Sequence, residues 1–485
     1  MDIKDLLTIL PVIFLIAWAL LLLLVDLWLP ANRKSITPLF TALGLALAMG
    51  LALSLSGRSA ISFNNMAILD GFAVMLNVII LSSGLAAVAL AYDYMKRMNI
   101  ARGEYYVLLL FSIAGMILMV QAYDLILVFL ALELVSIPLY VLAGFAKGRL
   151  TSEESALKYF LLGAFSSGFL LYGTALVYGA TAHTNLGDII AAIKDSSYSP
   201  FLMSAGSLFI LVGFGFKVAA APFHMWTPDV YQGAPSPVAG FMSVGVKAAA
   251  FAAFLRVFLT AFPSLQSQMT PALWALAALT MVIGNVLALV QTNIKRMLAY
   301  SSIAHAGYLL VALVPYGNGE IASQSVSAML LYLGIYALGS FAAWAVVIAR
   351  EQPDEQGLNI DDFAGLAKHS PWLAFAMLVA MLSFTGIPLT LGFWGKFFLF
   401  RAAVDGGFLG LALVGLVASL VSAYYYLRVV VTVYMRPASA ANKPAMRSNP
   451  WVTLTAVMSA AAVLILAFIP NVLVELVSTA VLRLQ

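Results

Sequence analysis

The sequence predicts an all-α polytopic membrane protein of about fourteen transmembrane helices, with two inverted repeats of five helices each. Hydrophobic residues make up 63% of the chain and charged residues 9%, and the mean hydropathy is +1.00, far from the balance of soluble domains. Apolar segments of about 18–25 residues recur between short polar joints, the length that crosses a hydrocarbon core of roughly 30 Å. Two further segments are longer and contain helix-breaking residues.

The predicted segments are numbered 1 to 14 along the chain. Segment 1 is too long for the apolar region of a secretory signal and has no small-residue cleavage site after it, so we expect it to be retained. The longest polar joint, 350–370, leaves no room for a soluble domain, and residues 1–485 are expected to form one membrane domain. The segments cover residues 6–29, 36–55, 71–92, 105–121, 125–146, 155–179, 201–230, 236–262, 273–292, 297–315, 324–349, 372–401, 408–434 and 451–479.

Segments 7 and 12 are too long to be plain spans. Each has about 30 residues, so a straight helix would measure roughly 45 Å against a core of roughly 30 Å. Each also contains helix breakers, which are Pro222 and Pro228 in segment 7 and Gly386, Pro388 and Gly392 in segment 12. We therefore predict that both helices are broken within the membrane.

Broken helices at corresponding positions of two halves indicate an inverted-repeat transporter with its ion site at the breaks. Segments 4–8, residues 105–262, are predicted to form the first repeat, and segments 9–13, residues 273–434, the second. Segments 1–3, in residues 1–104, and segment 14, in residues 451–485, lie outside the repeats.

Basic residues are concentrated in alternate joints, which predicts the orientation of the chain. By the positive-inside rule these joints are cytoplasmic, so both termini lie on the periplasmic side of a bacterial inner membrane. The opposite joints hold few basic residues, such as Arg58 and Lys194. The net charge of +4 therefore reflects topology and does not indicate nucleic acid. The cytoplasmic set is Arg33, Lys34, Lys96, Arg97, Arg102, Lys147, Arg149, Lys295, Arg296, Arg350, Lys368, Arg436, Lys443 and Arg447.

Residue types that hold metals and redox cofactors are scarce. The chain has no cysteine, which excludes disulfides, thiol chemistry and iron–sulfur ligation by its own side chains. The four histidines, His183, His224, His305 and His369, include no i, i+4 pair, so we expect no haem or metal site. No nucleotide-binding loop is present. We expect this chain to bind no cofactor and to draw its energy from an ion gradient or from partner subunits.

Apart from residues in the joints and near helix ends, seven ionisable side chains inside the predicted membrane segments need an explanation. A charge in hydrocarbon costs roughly 2.5–3.5 kcal/mol on insertion scales, so it normally faces a protein interior or a hydrated path. A buried lysine keeps its proton beside a carboxylate and releases it when the carboxylate moves away, and histidine relays protons near neutral pH. We predict proton transfer by Glu133, Lys217, Lys247 and Lys396, and a relay role for Lys158, His224 and His305.

Three of these residues have alternatives based on pairing or position. Glu133 and Lys217 could form a structural ion pair, which is compatible with proton transfer. Lys158 lies one turn inside its helix, where a lysine can extend to the interface. Lys247 is about eleven residues into segment 8 and lies beyond that reach.

Lys396, His224 and His305 could be solvated or packed. Lys396 would be solvated if segment 12 ended early. His224 and His305 could each be a neutral, hydrogen-bonded side chain between helices, which is the commoner role of a lone histidine. Their position between lysines favours the relay.

Several further polar positions are interpreted as peripheral. Arg256 is predicted to be an interfacial anchor, and Asp26 is expected to reach the interface. Tyr424–Tyr426 and Arg428 could pack at their depth or line a half-channel. The acidic residues of joint 350–370 are predicted to be solvated, as charge runs usually are. They are Glu351, Asp354, Glu355, Asp361 and Asp362.

Three motifs resemble the antiporter-like subunits of respiratory complex I. They are KVAAAPFHMWTPDVYQGAP at residues 217–235, QTNIKRMLAYSSIAHAGYLL at 291–310 and GIPLTLGFWGKF at 386–397, and the resemblance extends over nearly the whole chain. Within the family, TPDVYQGAP, the overall length and Lys396 are similar to the subunit N branch. Sister subunits instead carry a glutamate at the segment 12 position or a long C-terminal lateral helix.

The resemblance implies a proton-pumping unit driven by quinone reduction elsewhere in the complex. It implies that Glu133 pairs with Lys217, that Lys247 is the central lysine and Lys396 the exit-side lysine, and that Lys158 and His224 join the path. The partners would be a neighbouring antiporter-like subunit and small quinone-side subunits. NADH, FMN, iron–sulfur clusters and quinone would belong to other subunits.

Other functions are consistent with part of this pattern. A subunit of a multisubunit sodium/proton antiporter would share the fold and be driven by a gradient. A purely structural membrane anchor would leave the central charges unexplained. The sequence also does not distinguish NADH from ferredoxin as the electron donor to the complex.

Overall fold

The computed structural model describes residues 3–30, 33–196, 198–316, 319–353, 356–437 and 449–480. The predicted loop cations Lys443 and Arg447 and the acidic residues Asp354 and Glu355 lie outside these ranges. Within the ranges the chain is almost entirely helical, which confirms the predicted fold class.

The helices are numbered in chain order. The first twelve are α1 (Ile3–Thr8), α2 (Leu10–Trp28), α3 (Ile36–Ser54), α4 (Gly71–Arg97), α5 (Glu104–Gln121), α6 (Leu125–Ala143), α7 (Leu150–Thr181), α8 (Leu186–Lys194), α9 (Pro200–Lys217), α10 (Trp226–Gly233), α11 (Ser236–Phe241) and α12 (Lys247–Ala261). The others are α13 (Gln266–Leu289), α14 (Ile294–Leu313), α15 (Gly319–Arg350), α16 (Leu366–His369), α17 (Pro371–Thr385), α18 (Leu391–Asp405), α19 (Leu409–Met435), α20 (Pro450–Ile465) and α21 (Pro470–Ser478).

Shorter elements join some of these helices. A π-helical turn, Met242–Val246, connects α11 to α12, and single 3-10 turns lie at Pro263–Leu265, Ile360–Phe363 and Leu466–Phe468. An antiparallel hairpin of β1 (Ala60–Ser62) and β2 (Ala67–Leu69) precedes α4 and was not predicted.

Twelve described helices are long and apolar enough to cross a membrane. The chain is therefore an integral membrane protein. Two predicted segments are not among these twelve helices. Segment 10 corresponds to α14, which is more polar than the twelve helices. Segment 12 is divided into α17 and α18, which have fifteen residues each. The predicted count of fourteen spans is not confirmed.

The first predicted helix break lies between α9 and α10. α9 ends at Lys217 and α10 begins at Trp226, and the connection contains Pro222 and Ala219, which has a φ of 63°. Pro228 lies in the first turn of α10, where a proline removes no helical hydrogen bond. The break is thus made around Pro222 alone.

The second predicted break lies between α17 and α18. Gly386 follows α17 with a φ of 85°, a conformation that glycine adopts without strain. A Cβ atom at Gly392 would lie 1.8 Å from the carbonyl oxygen of Ser383. Gly392 is therefore needed for the start of α18 to pack against the end of α17.

The helical stretch Ser236–Ala261, which follows the first break, is the most enclosed of the twelve candidate membrane spans in the described residues. The most apolar stretch of Ser236–Ala261 is completely buried, whereas only 28% of the corresponding stretch of Pro450–Phe468 is buried. The π turn ends directly before Lys247. π turns inside helices are frequent at functional sites, so this position agrees with the predicted role of Lys247.

Two connections outside the core have the same construction. Asp124 caps α6 and forms an antiparallel bridge with Asn185, which follows α7. Asn293 caps α14 and forms an antiparallel bridge with Asn359, which follows α15. In both cases the bridge joins the residue that caps one helix to a residue that follows the next helix.

Arg256 is not an interfacial anchor, and this prediction was wrong. Its guanidinium is fully buried and forms two hydrogen bonds with Asp70, Nη1–Oδ2 at 2.9 Å and Nη2–Oδ1 at 3.0 Å, while Nε donates to the carbonyl of Val120 at 3.1 Å. Asp70 also caps α4 by accepting from the amide of Ala73 at 2.9 Å. The charge is tolerated because it is paired bidentately.

Candidate functional site

Lys217 lies at the first helix break, on hydroxyl groups of two neighbouring helices. Its side chain is buried, and Nζ donates to Ser136 Oγ of α6 at 2.7 Å and to Tyr159 OH of α7 at 3.4 Å. Trp226, at the start of α10, stacks on the Tyr159 ring at 4.7 Å. The end of α9 thus directs the ammonium group into the protein.

Glu133 lies near Lys217 but does not form the predicted ion pair directly. Ser136, which accepts from Lys217, is three residues after Glu133, so the two side chains are neighbours on α6. Within the described ranges no salt bridge joins Glu133 to Lys217, and Glu133 Oε1 is buried without a hydrogen-bond partner. The carboxylate is therefore about one helical turn from the group that holds the lysine.

Lys247 lies at the centre of the enclosed helices. It is 3% exposed, and Nζ donates to the backbone oxygen of Ser302 and, at 2.6 Å, to Ser302 Oγ. The ammonium is 5.5 Å from the centre of the Tyr336 ring, within the range of a cation–π contact. In the described part of the chain it has no acidic partner, so a carbonyl, a hydroxyl and a ring hold its charge.

His305 joins three helices through tyrosine hydroxyls. Nδ1 shares a hydrogen bond with Tyr332 OH of α15 at 2.6 Å, and Nε2 shares one with Tyr426 OH of α19 at 3.1 Å. Tyr426 OH in turn shares a hydrogen bond with Ser301 Oγ at 2.5 Å. Because hydroxyls both donate and accept, this chain accommodates either imidazole tautomer. The geometry is consistent with a relay and with the packing alternative.

Lys396 lies against the second helix break and is buried, which removes the solvated alternative. Nζ donates to the carbonyl of Thr385 at 3.0 Å and to Ser419 Oγ at 2.6 Å, and it is 4.7 Å from the centre of the Tyr308 ring. Thr385 is the last residue of α17, so its carbonyl belongs to the negative end of that helix. The break thus supplies an acceptor for the lysine.

Lys217, Lys247 and Lys396 are called the lysine row below. Each is at most 5% exposed and each is held by neutral oxygen atoms and an aromatic ring. No group of three or more His, Asp or Glu side chains in the described residues could hold a metal ion. The chemistry that this arrangement supports is gain and loss of protons on buried amines.

Sequence reasoning missed most of the hydroxyl and amide groups near the row. Asn285 Nδ2 donates to Tyr308 OH at 3.1 Å, and Tyr425 OH donates to Asn285 Oδ1 at 2.9 Å. The consecutive tyrosines of α19 were the only part of this network that the sequence analysis had noted. Tyr425 and Tyr426 are buried in this network, whereas Tyr424 is 66% exposed.

Lys158 and His224 lie outside the enclosed row. Lys158 is 40% exposed and forms ion pairs with Glu154 and Asp229, each at 2.6 Å, and Arg296 bonds the other oxygen of Asp229 at 2.6 Å. His224 is half-buried on the turn between α9 and α10. The structure therefore does not bring these two residues together with the row.

Glu351 is buried, so the prediction of a solvated acidic joint was wrong for this residue. Its carboxylate accepts from Tyr94 OH at 3.0 Å and from the hydroxyl of Ser236, and the Ser236 amide donates to Tyr94 OH at 3.3 Å. Asp361, by contrast, is exposed and pairs with Arg436. Through these hydrogen bonds Glu351, which follows α15, links the last turns of α4 to the start of α11.

Glu351→Ala is expected to destabilise the protein by about 1–3 kcal/mol, because the hydroxyls of Tyr94 and Ser236 lose their buried acceptor. Glu351→Gln retains an acceptor and should cost less. Thermal unfolding in detergent, followed by tryptophan fluorescence, measures the difference. Equal midpoints for the two variants would show that these hydrogen bonds do not stabilise the fold.

The fold and the lysine row define a class, an antiporter-like integral membrane protein with basic groups buried along its interior. A family model described as NADH:quinone oxidoreductase/Mrp antiporter, transmembrane, matches residues 122–422. NADH-quinone oxidoreductase subunit N of Chloroflexus aggregans is 43% identical over 96% of this chain and 95% of the relative. The subunit N of Trichlorobacter lovleyi is 44% identical over 98% and 96% of the two chains. This chain belongs to the NADH-quinone oxidoreductase subunit N family.

Solved structures agree with this assignment. A chain of respiratory complex I from Thermus thermophilus with bound aureothin is 38% identical, with a TM-score of 0.82 over 96% of this chain and 99% of the other. A chain of the Mrp complex from Dietzia has a TM-score of 0.85 over 99% and 97% of the two chains, but is only 20% identical, which shows a shared fold alone. The complex I prediction is confirmed over the sodium/proton antiporter alternative.

Proposed function

We propose that this chain is the proton-translocating subunit N of an NADH:quinone oxidoreductase and that Glu133, Lys217, Lys247 and Lys396 carry the protons. The observation that carries the proposal is the environment of the lysine row. Each ammonium group is buried on hydroxyls, carbonyls and rings. The hydroxyl groups can accept from an ammonium and donate to a neutral amine, so both forms of each lysine can be bound and a nearby charge shifts the balance between them.

Glu133 is the charge that would control the first lysine. Its free buried oxygen lies one turn from the Ser136 that holds Lys217. Movement of Glu133 toward Lys217 would retain the proton on the amine, and movement away would release it. His305, with Tyr332 and Tyr426, would relay protons between Lys247 and Lys396, and Lys158 and His224 would serve the outer, partly exposed end of the path.

The driving energy would come from electron transfer in other subunits of the complex. Those subunits would hold NADH, FMN, iron–sulfur clusters and quinone, and this chain would bind none of them. Its partners would be the neighbouring antiporter-like subunit and the small quinone-side subunits. If instead the chain migrates from solubilised membranes with antiporter subunits and without NADH oxidation, the proposal fails.

The two halves would be inverted repeats, residues 105–262 and 273–434, with residues 1–104 and 451–485 outside them. The matching capped bridges Asp124–Asn185 and Asn293–Asn359 support this division. Both termini would lie on the periplasmic side. Because the chain has no cysteine, a single cysteine added at either terminus can be tested with an impermeant thiol reagent. Labelling from the cytoplasmic side only would contradict this orientation.

Lys217→Ala and Glu133→Ala are each expected to lower proton pumping by about 10²-fold, the contribution of a positioned proton carrier. Coupled quinone reduction should fall with it, whereas electron transfer from NADH to a water-soluble artificial acceptor should be unchanged. The measurements use the complex reconstituted in vesicles with a pH-sensitive dye. Normal pumping in both variants would refute the assignment of this pair, and Lys147→Ala, in a joint, controls for charge loss.

A further inference from the structure

A long apolar cavity lies outside the lysine row, between α4, α15 and the C-terminal helices α20 and α21. Its volume is about 330 Å³, and its lining includes Val78, Leu331 and Leu473. On α4 the lining extends from Met75 to Ala86, which is about 16 Å along a helix axis. One leaflet of a hydrocarbon core is about 15 Å thick. The cavity therefore has the depth of one acyl chain.

Gly334 shows that the α15 wall of this cavity is open. A Cβ atom built at Gly334 meets no atom within 4 Å, although the residue lies inside a long helix between other elements. The glycine at position 84 of α4, for comparison, would place a Cβ atom 2.5 Å from Ile113. The space beside Gly334 is room that the described protein residues do not fill.

A second cavity, with more polar groups in its lining, is adjacent to the apolar one. It has a volume of about 540 Å³ and shares Met75, Val78 and Leu476 with the first cavity, so the two are adjacent. Its far end is lined by Ser56, Arg58 and Ser59, in the connection between α3 and β1. An apolar channel at membrane depth thus opens onto a basic, hydroxyl-bearing end near the membrane surface.

Arg58 is the basic group at this end. Its side chain is exposed, and within the described ranges it forms no salt bridge. The carboxylate of Asp70, which also lines the cavity, is occupied by Arg256 and by the amide of Ala73. Of the two charged residues that line this cavity, Arg58 therefore has no partner of opposite charge in the described ranges, and a guanidinium with hydroxyl neighbours is a good partner for a phosphate group.

We propose that this pair of cavities is a binding site for one glycerophospholipid, with its phosphate on Arg58 and an acyl chain between α4, α15 and α21. The charge complementarity at the opening and the order of polar and apolar lining identify this occupant. A phospholipid in the leaflet on the Arg58 side presents its phosphate and its chain in the same order. The site is separate from the proposed proton path.

The experiment uses the intact complex in lipid nanodiscs that contain phosphatidylglycerol with a photoreactive acyl chain. After illumination, peptide mapping should find cross-links in residues 75–86 of α4 and in 466–477. Gly334→Leu fills the cavity and should lower this labelling by about tenfold, as expected when a bound chain is displaced. Gly168→Leu is the matched control, because Gly168 also has no atom within 4 Å of a built Cβ atom but lines neither cavity.

A second pair of variants tests the phosphate contact. Arg58→Gln should lower labelling by about fivefold, the effect of one basic residue near a membrane surface. Lys194→Gln, which removes an exposed charge at the end of α8, should leave it unchanged. A photoreactive diacylglycerol, which has no phosphate, should label the site less and be insensitive to Arg58→Gln.

Three results would overturn the proposal. The first is labelling of residues 75–86 no stronger than labelling of the lipid-facing helix α2. The second is labelling that Gly334→Leu and Arg58→Gln both leave intact. The third is cross-linking of these residues to a partner subunit by a short photoreactive side chain at Val78, which would show that protein covers the cavity.

Discussion

Lys247→Met is expected to abolish coupled proton pumping, with a loss of about 10²-fold or more in the reconstituted complex. The side chain is nearly isosteric but carries no proton, and the carbonyl and hydroxyl of Ser302 lose the donor that now binds them. No other lysine or carboxylate in the described residues contacts these atoms. The proton path would therefore be interrupted at its centre.

The variant Lys247→Arg distinguishes the effect of the positive charge from the effect of proton release. Arginine restores the positive charge but cannot be deprotonated in a protein, so this variant should assemble and still fail to pump. The measurements are dye-detected proton uptake and electron transfer from NADH to a water-soluble acceptor. Lys295→Met is the control for loss of another buried lysine, because Lys295 lies outside the row and donates to the carbonyl of Ala234. Pumping by Lys247→Arg at the wild-type rate would contradict the assigned role.

Arg256→Ala is expected to destabilise the protein by about 3–5 kcal/mol, because it leaves the buried carboxylate of Asp70 without a counter-charge. The bidentate pair is completely enclosed, with Arg256 at 0% and Asp70 at 2% exposure. Unfolding in mixed detergent micelles measures the free energy, and the amount of assembled complex should fall in parallel.

The double variant Arg256→Met and Asp70→Asn tests the cause of this loss. It removes both charges, fills the space of the guanidinium and keeps an oxygen that can cap α4. Replacing a buried ion pair by neutral groups of similar volume is often nearly neutral, so stability should largely return. A double variant as unstable as Arg256→Ala would show that the packing of the side chain, and not the unpaired charge, determines the cost.

The fold class was predictable because the bilayer imposes length and polarity on each helix. The two breaks were predictable because Pro222 and Pro388 each remove a helical hydrogen bond and because Gly386 adopts a positive φ without strain. The same reasoning could not find the hairpin before α4, which is too short and too local to leave a periodic signal. It also failed for Arg256, since the partner that makes burial possible is 186 residues away in the chain.

The site was predictable only in its charged members. Lysines inside apolar segments are costly and therefore conspicuous, and Lys217, Lys247 and Lys396 were found for that reason. Ser136, Ser302 and Tyr332, which contact the row or His305, are ordinary residues of apolar helices and gave no signal. Direct pairing of Glu133 with Lys217 was expected from charge alone. The structure instead gives Lys217 a hydroxyl partner and leaves the carboxylate a turn away.

The π turn before Lys247 makes the direction of that side chain depend on helical phase. A π turn accommodates one residue more than the α-helical path would, so everything after it is rotated by about 100° relative to a continuous α-helix. Conversion of Met242–Val246 into a regular α-helical turn with the same five residues would turn Lys247 away from Ser302 without changing the composition of the helix. The direction of the Lys247 side chain thus depends on the backbone conformation of five uncharged residues.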